Sequence, residues 1–306
     1  MIAEVAHSVL SRYLDPEVLG RIANRRIEPR GLVFGNLAGA HKSPLSGFAV
    51  EFAGHREYVW GDDPKHIDWR VYFNRERYVI KQYEMETNFV CHLVLDSSAS
   101  MRYGEGHQQK FRYACRMVAT LAYAIIRQSD KVSLATFGEQ IGGFVPPSSS
   151  MAQMVRITDH LDNTEPAHQT RIVDCLTELA GRTKRREIVI IVSDFFTDLG
   201  ALEAALGRMR YHRHEVVLLQ ILHHDELTFP FDRMTKFVGL ELPEELITQP
   251  DELRRSYLAA LGRFTDGLED ICQRNRIERV LVDTSRDMGQ VFVDYLNQRS
   301  RLNRGR

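Results

Sequence analysis

Cysteine is scarce in this sequence, and the four cysteines that it contains are far apart: Cys91, Cys115, Cys175 and Cys272. Because no two of them form a C-x-x-C pair, the sequence excludes a thiol redox motif and a zinc knuckle built from neighbouring cysteines. Three of the four lie in apolar segments, where a free thiol behaves as a small hydrophobic side chain. We therefore expect a reducing compartment, the cytoplasm.

An excess of charge of one sign is also lacking, as are long apolar runs. Forty basic residues stand against 41 acidic ones, which argues against binding of nucleic acid through phosphate charge. The longest nearly apolar run, from Met117 to Ile126, is too short to cross a bilayer. The first residues lack the basic and apolar regions of a signal peptide. We expect neither nucleic-acid binding nor membrane insertion.

The residue pattern changes twice along the chain. It predicts an N-terminal helical segment at residues 1–30 and a small β-rich subdomain at 31–87. Within that subdomain, residues 67–73 and 78–83 alternate between apolar and polar side chains and predict a β-hairpin. From residue 88 to 306, apolar strands alternate with helices, which predicts an α/β fold with a doubly wound, mostly parallel sheet.

One segment interrupts this alternation of strands and helices. Residues 225–249 contain two short strand-like runs, at 227–229 and 235–238, and these predict an additional hairpin near the strand ends. An edge strand is expected from residue 140, and it should stop at Pro146 because proline cannot donate to a β-ladder.

Oxygen-bearing side chains follow two of the predicted strands. Asp96, Ser98 and Ser100 form a D-x-S-x-S motif after one apolar run, and Asp194 follows another. Thr170 precedes the helix that leads into the second of these strands. Carboxyl ends of parallel strands meet at one edge of a sheet, and carboxylate and hydroxyl oxygens suit Mg²⁺ or Mn²⁺ rather than zinc. With only two carboxylates, such a cation could accept a carboxylate from another protein. The alternative is that these side chains only cap local turns.

These residues, in this order, resemble the metal-ion-dependent adhesion site (MIDAS) of the von Willebrand factor A (vWA) domain, over roughly residues 88–300. The resemblance implies that the three hydroxyl groups are direct or switchable ligands of the cation. It also implies that the two carboxylates do not bind the cation directly but contact its ligands or bind it through water. Two residues depart from the pattern. Gln169 stands where many such domains have a small residue, and Phe195 stands where glycine is common.

A second motif spans residues 56–70, which include both tryptophans of the chain. It resembles the signature of the bacterial domain-of-unknown-function family DUF58, whose members join such a segment to a vWA-like domain. The resemblance implies a MoxR-type AAA+ ATPase, or its client, as partner. Tryptophan and arginine dominate interaction hot spots, which makes this segment a candidate docking surface. The alternative is that its side chains only hold a small subdomain together. The docking candidates are Arg56, Trp60, Asp62, Asp63, Asp68 and Trp69.

The sequence thus favours a metal-dependent interaction module over an enzyme, and the resemblance implies that this module is an adaptor for such an ATPase. The alternative is a metal-assisted phosphatase or hydrolase that uses the same cation as a Lewis acid. No motif joins its candidate acid–base residues, and D-x-D, G-x-S-x-G and P-loop motifs are lacking. The first α/β strand is not followed by G-x-G-x-x-G, which argues against a dinucleotide-binding domain. The acid–base candidates are Asp198, His168, His223 and His224.

Overall fold

A computed structural model describes residues 11–27, 50–85, 89–183, 187–241 and 244–304. The predictions for residues 1–10 and 31–49 lie outside these described residues. Packing divides the chain into two units, one formed by residues 29–88 and the other by the remainder.

The described helices and strands are numbered in chain order. The helices are α1 (Pro16–Ile22), α2 (Trp69–Arg75), α3 (Lys110–Arg127), α4 (Ala152–Asp162), α5 (Ile172–Arg182), α6 (Leu199–Tyr211), α7 (His224–Thr228), α8 (Pro250–Arg274) and α9 (Met288–Arg304). The strands are β1 (Val50–Glu57), β2 (Val79–Met85), β3 (Val90–Asp96), β4 (Lys131–Phe137), β5 (Ile141–Ser148), β6 (Ile188–Ser193), β7 (Glu215–Leu222), β8 (Thr235–Val238), β9 (Glu245–Thr248) and β10 (Glu278–Asp283).

Six strands form the central sheet of the larger unit, in the order β10-β7-β6-β3-β4-β5. All neighbours in this sheet are parallel except β5, which runs antiparallel to β4 at the edge. The predicted α/β fold with a doubly wound, mostly parallel sheet is confirmed. The chain leaves β3 first toward β4 and later returns to add β6 on its other side, so the topological switch point lies between β3 and β6.

Helices cover both faces of this sheet because its central strands are apolar on both sides. Every residue of β6 is buried, as expected of a strand between two helix layers. One hydrophobic core includes α3, α4 and α9 together with Val18 and Ile22 of α1. The other includes α5, α6 and part of α8.

Two local predictions in the larger unit are wrong. The run at residues 227–229 is not a strand: residues 224–228 form the helix α7, because Glu226 and His223 form a reciprocal capping box at its start. The strand β8 is present, but it pairs with β9. The edge strand β5 runs through Pro146 and Pro147 to Ser148, which an edge position permits because one side of the strand needs no donor.

The predicted hairpin of residues 67–73 and 78–83 in the smaller unit is also wrong. Residues 69–75 form the helix α2, and β2 pairs antiparallel with β1 instead. The Asp68 side chain caps the helix by accepting from the backbone N–H of Arg70. Trp69, Tyr72 and Phe73 have the i, i+3, i+4 spacing of a helix as well as the alternation of a strand, so the pattern was ambiguous.

Candidate metal centre

The two aspartates of the predicted site lie at the same edge of the sheet. Asp96 is the last residue of β3, and Asp194 directly follows β6. These strands are parallel neighbours, with Leu95 opposite Val192. Because the switch point lies between them, the two carboxylates lie where doubly wound sheets bind their ligands.

Asp96 is fully buried and tied to both strands. Its Oδ1 accepts from the backbone N–H of Ser98 at 2.8 Å, and its Oδ2 accepts from the Ser193 hydroxyl at 2.6 Å. Burial raises the pKa of Asp96, and the nearby charge of Asp194 raises it further. A cation at this edge of the sheet would offset both effects. Ser193 was not among the predicted residues, although it precedes Asp194 in the sequence.

The two serine hydroxyls of the motif lie beside each other. The Oγ atoms of Ser98 and Ser100 are 3.0 Å apart. The loop before Thr170 is joined to the D-x-S-x-S loop by two backbone hydrogen bonds, from Ala99 N–H to the His168 carbonyl and from Ala167 N–H to the Ser97 carbonyl, each 2.9 Å. These bonds bring the segment that carries Thr170 alongside the two serines.

Thr170 provides the test of whether these residues fit a cation. Its Oγ1 is buried and has no hydrogen-bond partner among the residues that the structure describes. A buried hydroxyl without a partner is costly, and a metal ion would satisfy it. Within the described ranges, no group of three or more His, Cys, Asp or Glu side chains could hold a metal ion, so a cation here depends on hydroxyl ligands. Such a donor set fits a hard cation such as Mg²⁺ or Mn²⁺.

Asp194 is paired with a buried lysine that the sequence analysis missed. Lys110 Nζ lies 2.8 Å from Asp194 Oδ2 and 2.9 Å from Glu226 Oε1. A signal for Lys110 existed in the sequence. It falls on the apolar stripe of α3, four residues before Ala114 and seven before Met117, where a charged residue needs a buried partner.

Phe195 adopts a left-handed backbone conformation, with φ of 62°. This conformation explains why glycine is common at this position in vWA domains, because glycine adopts it without strain. The Phe195 side chain is buried in the core that contains α5 and α6. Its backbone N–H donates to the Ser193 hydroxyl at 2.9 Å, so the loop after β6 is held against Asp96 through Ser193.

In the smaller unit, the acidic docking candidates all take part in local structure. Asp62 receives two hydrogen bonds from Arg56, at 2.7 and 2.8 Å. These bonds, with one from the backbone N–H of Val59, lower the pKa of Asp62. Asp63 caps a short 3₁₀ helix at Pro64–His66. Asp68 caps α2 and also hydrogen bonds to His55 at 2.9 Å.

The two tryptophans differ from these acidic residues because they face solvent. Trp60 is 96% exposed and Trp69 is 49% exposed. A side chain as exposed as Trp60 contributes little to holding a subdomain together, and exposed aromatic side chains are typical anchors of protein interfaces.

The four acid–base candidates of the enzyme alternative occupy separate local positions. The Asp198 side chain caps α6, and the His223 ring caps α7. His224 pairs with Asp283 at 3.0 Å, and the pairing raises the pKa of His224. His168 is exposed, with φ of 62°. Three of these four side chains thus have a structural role.

Comparison with known proteins gives a family and several distant structural likenesses. The family model described as "Protein of unknown function DUF58" matches residues 54–263, more than half of the chain. Uncharacterized proteins from Mycobacterium tuberculosis and Mycobacterium bovis are each 22% identical over 228 residues, 71% of this chain and 68% of the relative.

Similar solved structures include an aerotolerance-related membrane protein from Bacteroides fragilis, with a TM-score of 0.49 and 16% identity over 69% of this chain and 97% of that one. Another is the SpRpn10 VWA domain, with a TM-score of 0.41 and 14% identity over 69% of this chain and 95% of that one. In the part of this chain that the structure describes, no helix is both long and apolar enough to cross a membrane.

Proposed function

Because the chain belongs to the DUF58 family, whose function is unknown, we propose its function from the site itself: it is a metal-dependent protein-interaction module of the MIDAS type. Ser98, Ser100 and Thr170 would hold Mg²⁺ or Mn²⁺, with Asp96 and Asp194 behind them. The cation would supply a coordination position for an acidic side chain of a partner protein.

The observation that carries this proposal is the unsatisfied hydroxyl of Thr170. Buried polar atoms are almost always hydrogen bonded, so a buried hydroxyl without a partner at the switch point indicates a missing ligand. The proposal is further supported by the two serine hydroxyls, which lie beside each other, and by the two buried carboxylates at the same sheet edge, because all of these are oxygen donors.

Different groups of the protein position the different parts of the site. Ser193 and the backbone N–H of Ser98 fix the orientation of Asp96. The backbone bonds of Ala99 and Ala167 hold the two ligand-bearing loops together. The exposed Trp60 provides a second, apolar contact for the partner. From the family resemblance, we propose a MoxR-type AAA+ ATPase or its client as this partner.

Calorimetric titration with Mn²⁺ tests the cation site. Thr170→Val removes the hydroxyl at nearly constant volume, and we expect Mn²⁺ affinity to fall by about tenfold or more because one direct ligand is lost. Thr120→Val is the matched control, since Thr120 is a buried threonine whose hydroxyl donates to the Arg116 carbonyl within α3. Equal Mn²⁺ affinity in the wild type and Thr170→Val would contradict the ligand assignment.

A binding measurement with the purified MoxR-type ATPase tests the partner. Immobilised protein should retain the ATPase in Mg²⁺ and release it in EDTA. The Ser98→Ala variant should not retain it in either buffer. Retention that is unchanged by EDTA and by Ser98→Ala would refute metal-dependent binding of this partner.

A further inference from the structure

Lys110 has no assigned role in the proposed metal centre, although it is one of the most deeply buried charged residues of the described chain. It is the first residue of α3, and its side chain is about 1% exposed. Lysine is almost never fully buried unless it is paired, because removing an ammonium group from water is costly. We therefore ask which groups the charge of Lys110 acts on.

The ammonium group lies between two carboxylates. Its Nζ is 2.8 Å from Asp194 Oδ2 and 2.9 Å from Glu226 Oε1, and it lies 5.5 Å from the centre of the Phe196 ring. Two carboxylates at this distance favour the charged form of the lysine and offset the cost of burying it. Lys110 therefore places a positive charge directly beside Asp194 of the candidate metal centre.

Asp194 has both of its oxygens engaged by the protein. Oδ2 accepts from Lys110, and Oδ1 accepts from the backbone N–H of Phe196 at 3.2 Å. A carboxylate that is already neutralised attracts a dication less strongly than a free one. The ammonium group, moreover, repels any dication that approaches Asp194.

Glu226 holds the lysine in this position from the other side. Its second oxygen, Oε2, accepts from the backbone N–H of His223 at 2.7 Å, so the carboxylate is fixed at the start of α7. Its negative charge partly offsets the ammonium group. The three side chains form a buried cluster with two negative charges and one positive charge.

We propose that Lys110 is a built-in competitor of the divalent cation, which lowers the cation affinity of the site by neutralising Asp194. This inference rests on the proposed function and adds its regulation. A partner carboxylate supplies the negative charge that Lys110 has cancelled. Cation and partner then strengthen each other's binding, and by linkage the effect is equal in both directions.

The test compares Mn²⁺ titrations of the wild type and of Lys110→Met/Glu226→Gln. This double variant removes one positive and one negative charge, so the net charge of the cluster is unchanged and Asp194 is released. We expect Mn²⁺ to bind about tenfold more tightly or better, because a unit charge acts strongly at short range in the protein interior. Mn²⁺ should also raise the unfolding temperature of the double variant more than that of the wild type.

The matched control is Arg299→Met/Glu278→Gln. Arg299 is also a buried cation between two carboxylates, Glu278 at 2.9 Å and Glu215. Glu278 and Glu215 begin β10 and β7, at the sheet edge opposite the metal centre. This control should lose stability to a similar extent while its Mn²⁺ affinity stays unchanged.

A single variant covers the case in which the double variant does not fold. Glu226→Gln keeps the ammonium group but removes the charge that offsets it, so we expect Mn²⁺ affinity to fall by about tenfold. The Gln side chain can still accept from the His223 N–H, which preserves the cap of α7.

The outcomes separate this inference from the proposed function. If Mn²⁺ binds the wild type, Glu226→Gln and Lys110→Met/Glu226→Gln with the same affinity, the role of Lys110 is overturned and the metal centre is retained. If Mn²⁺ binds the double variant but not the wild type, the competing role of Lys110 is supported most directly. No binding in the wild type or in a folded double variant would overturn both proposals.

Discussion

Replacement of Phe195 separates two opposing effects at the loop behind the metal centre. The side chain is buried, and truncation of a buried phenylalanine costs about 3–5 kcal/mol of unfolding free energy. The backbone is left-handed, which costs a non-glycine residue about 1–2 kcal/mol and costs glycine nothing. We therefore expect Phe195→Ala to lose about 3–5 kcal/mol and Phe195→Gly to lose about 1 kcal/mol less.

The expected order of these two variants reverses the usual one. In most positions glycine is less stable than alanine by about 0.5–1 kcal/mol, because it loses more backbone freedom on folding. Urea unfolding followed by circular dichroism measures the order, provided that the slope with urea is the same in both variants.

Phe292 provides the control for this pair, because it is equally buried but lies in the regular helix α9. There Phe292→Ala should be more stable than Phe292→Gly by about 1 kcal/mol, the ordinary helical preference. If Phe195→Gly is also less stable than Phe195→Ala, the left-handed conformation is not what constrains this loop, and the reasoning is refuted.

Two further predictions concern pH and the exposed tryptophan. Burial lowers the pKa of His214 below its ordinary value of 6.5, and nearby His92 and His212 act in the same direction. The unfolded chain then binds more protons than the folded one. The contribution of neutral His214 to the free energy of unfolding should therefore be fully present above pH 6.5 and be lost as the pH falls below it. In urea titrations at several pH values, the free energy of unfolding of His214→Gln should depend less on pH than that of the wild type. An equal pH dependence in the two proteins would contradict this prediction. Trp60→Ala should leave the urea midpoint unchanged because the side chain is 96% exposed, but it should weaken retention of the MoxR-type ATPase; unaltered retention would remove Trp60 from the docking surface.

Most of the central fold could be predicted from local sequence patterns. Apolar runs that lack polar alternation identify strands covered on both faces, and β6 is the clearest of these. The predictions that failed were decided by the capping side chains at the start of each segment. Residues 67–73 fit a strand by alternation, but the cap from Asp68 favoured a helix at residues 69–75. Likewise, the capping box of Glu226 made residues 224–228 helical.

The sequence by itself determined where Asp96 and Asp194 lie, because each follows an apolar run and parallel strands bring their carboxyl ends to one edge. Only the tertiary structure decided that Lys110 neutralises Asp194. Lys110 is 84 residues from Asp194 and 116 from Glu226 along the chain. No local pattern links residues so far apart. They meet because α3, β6 and α7 pack around the same end of the sheet, where a buried charge must find its partner.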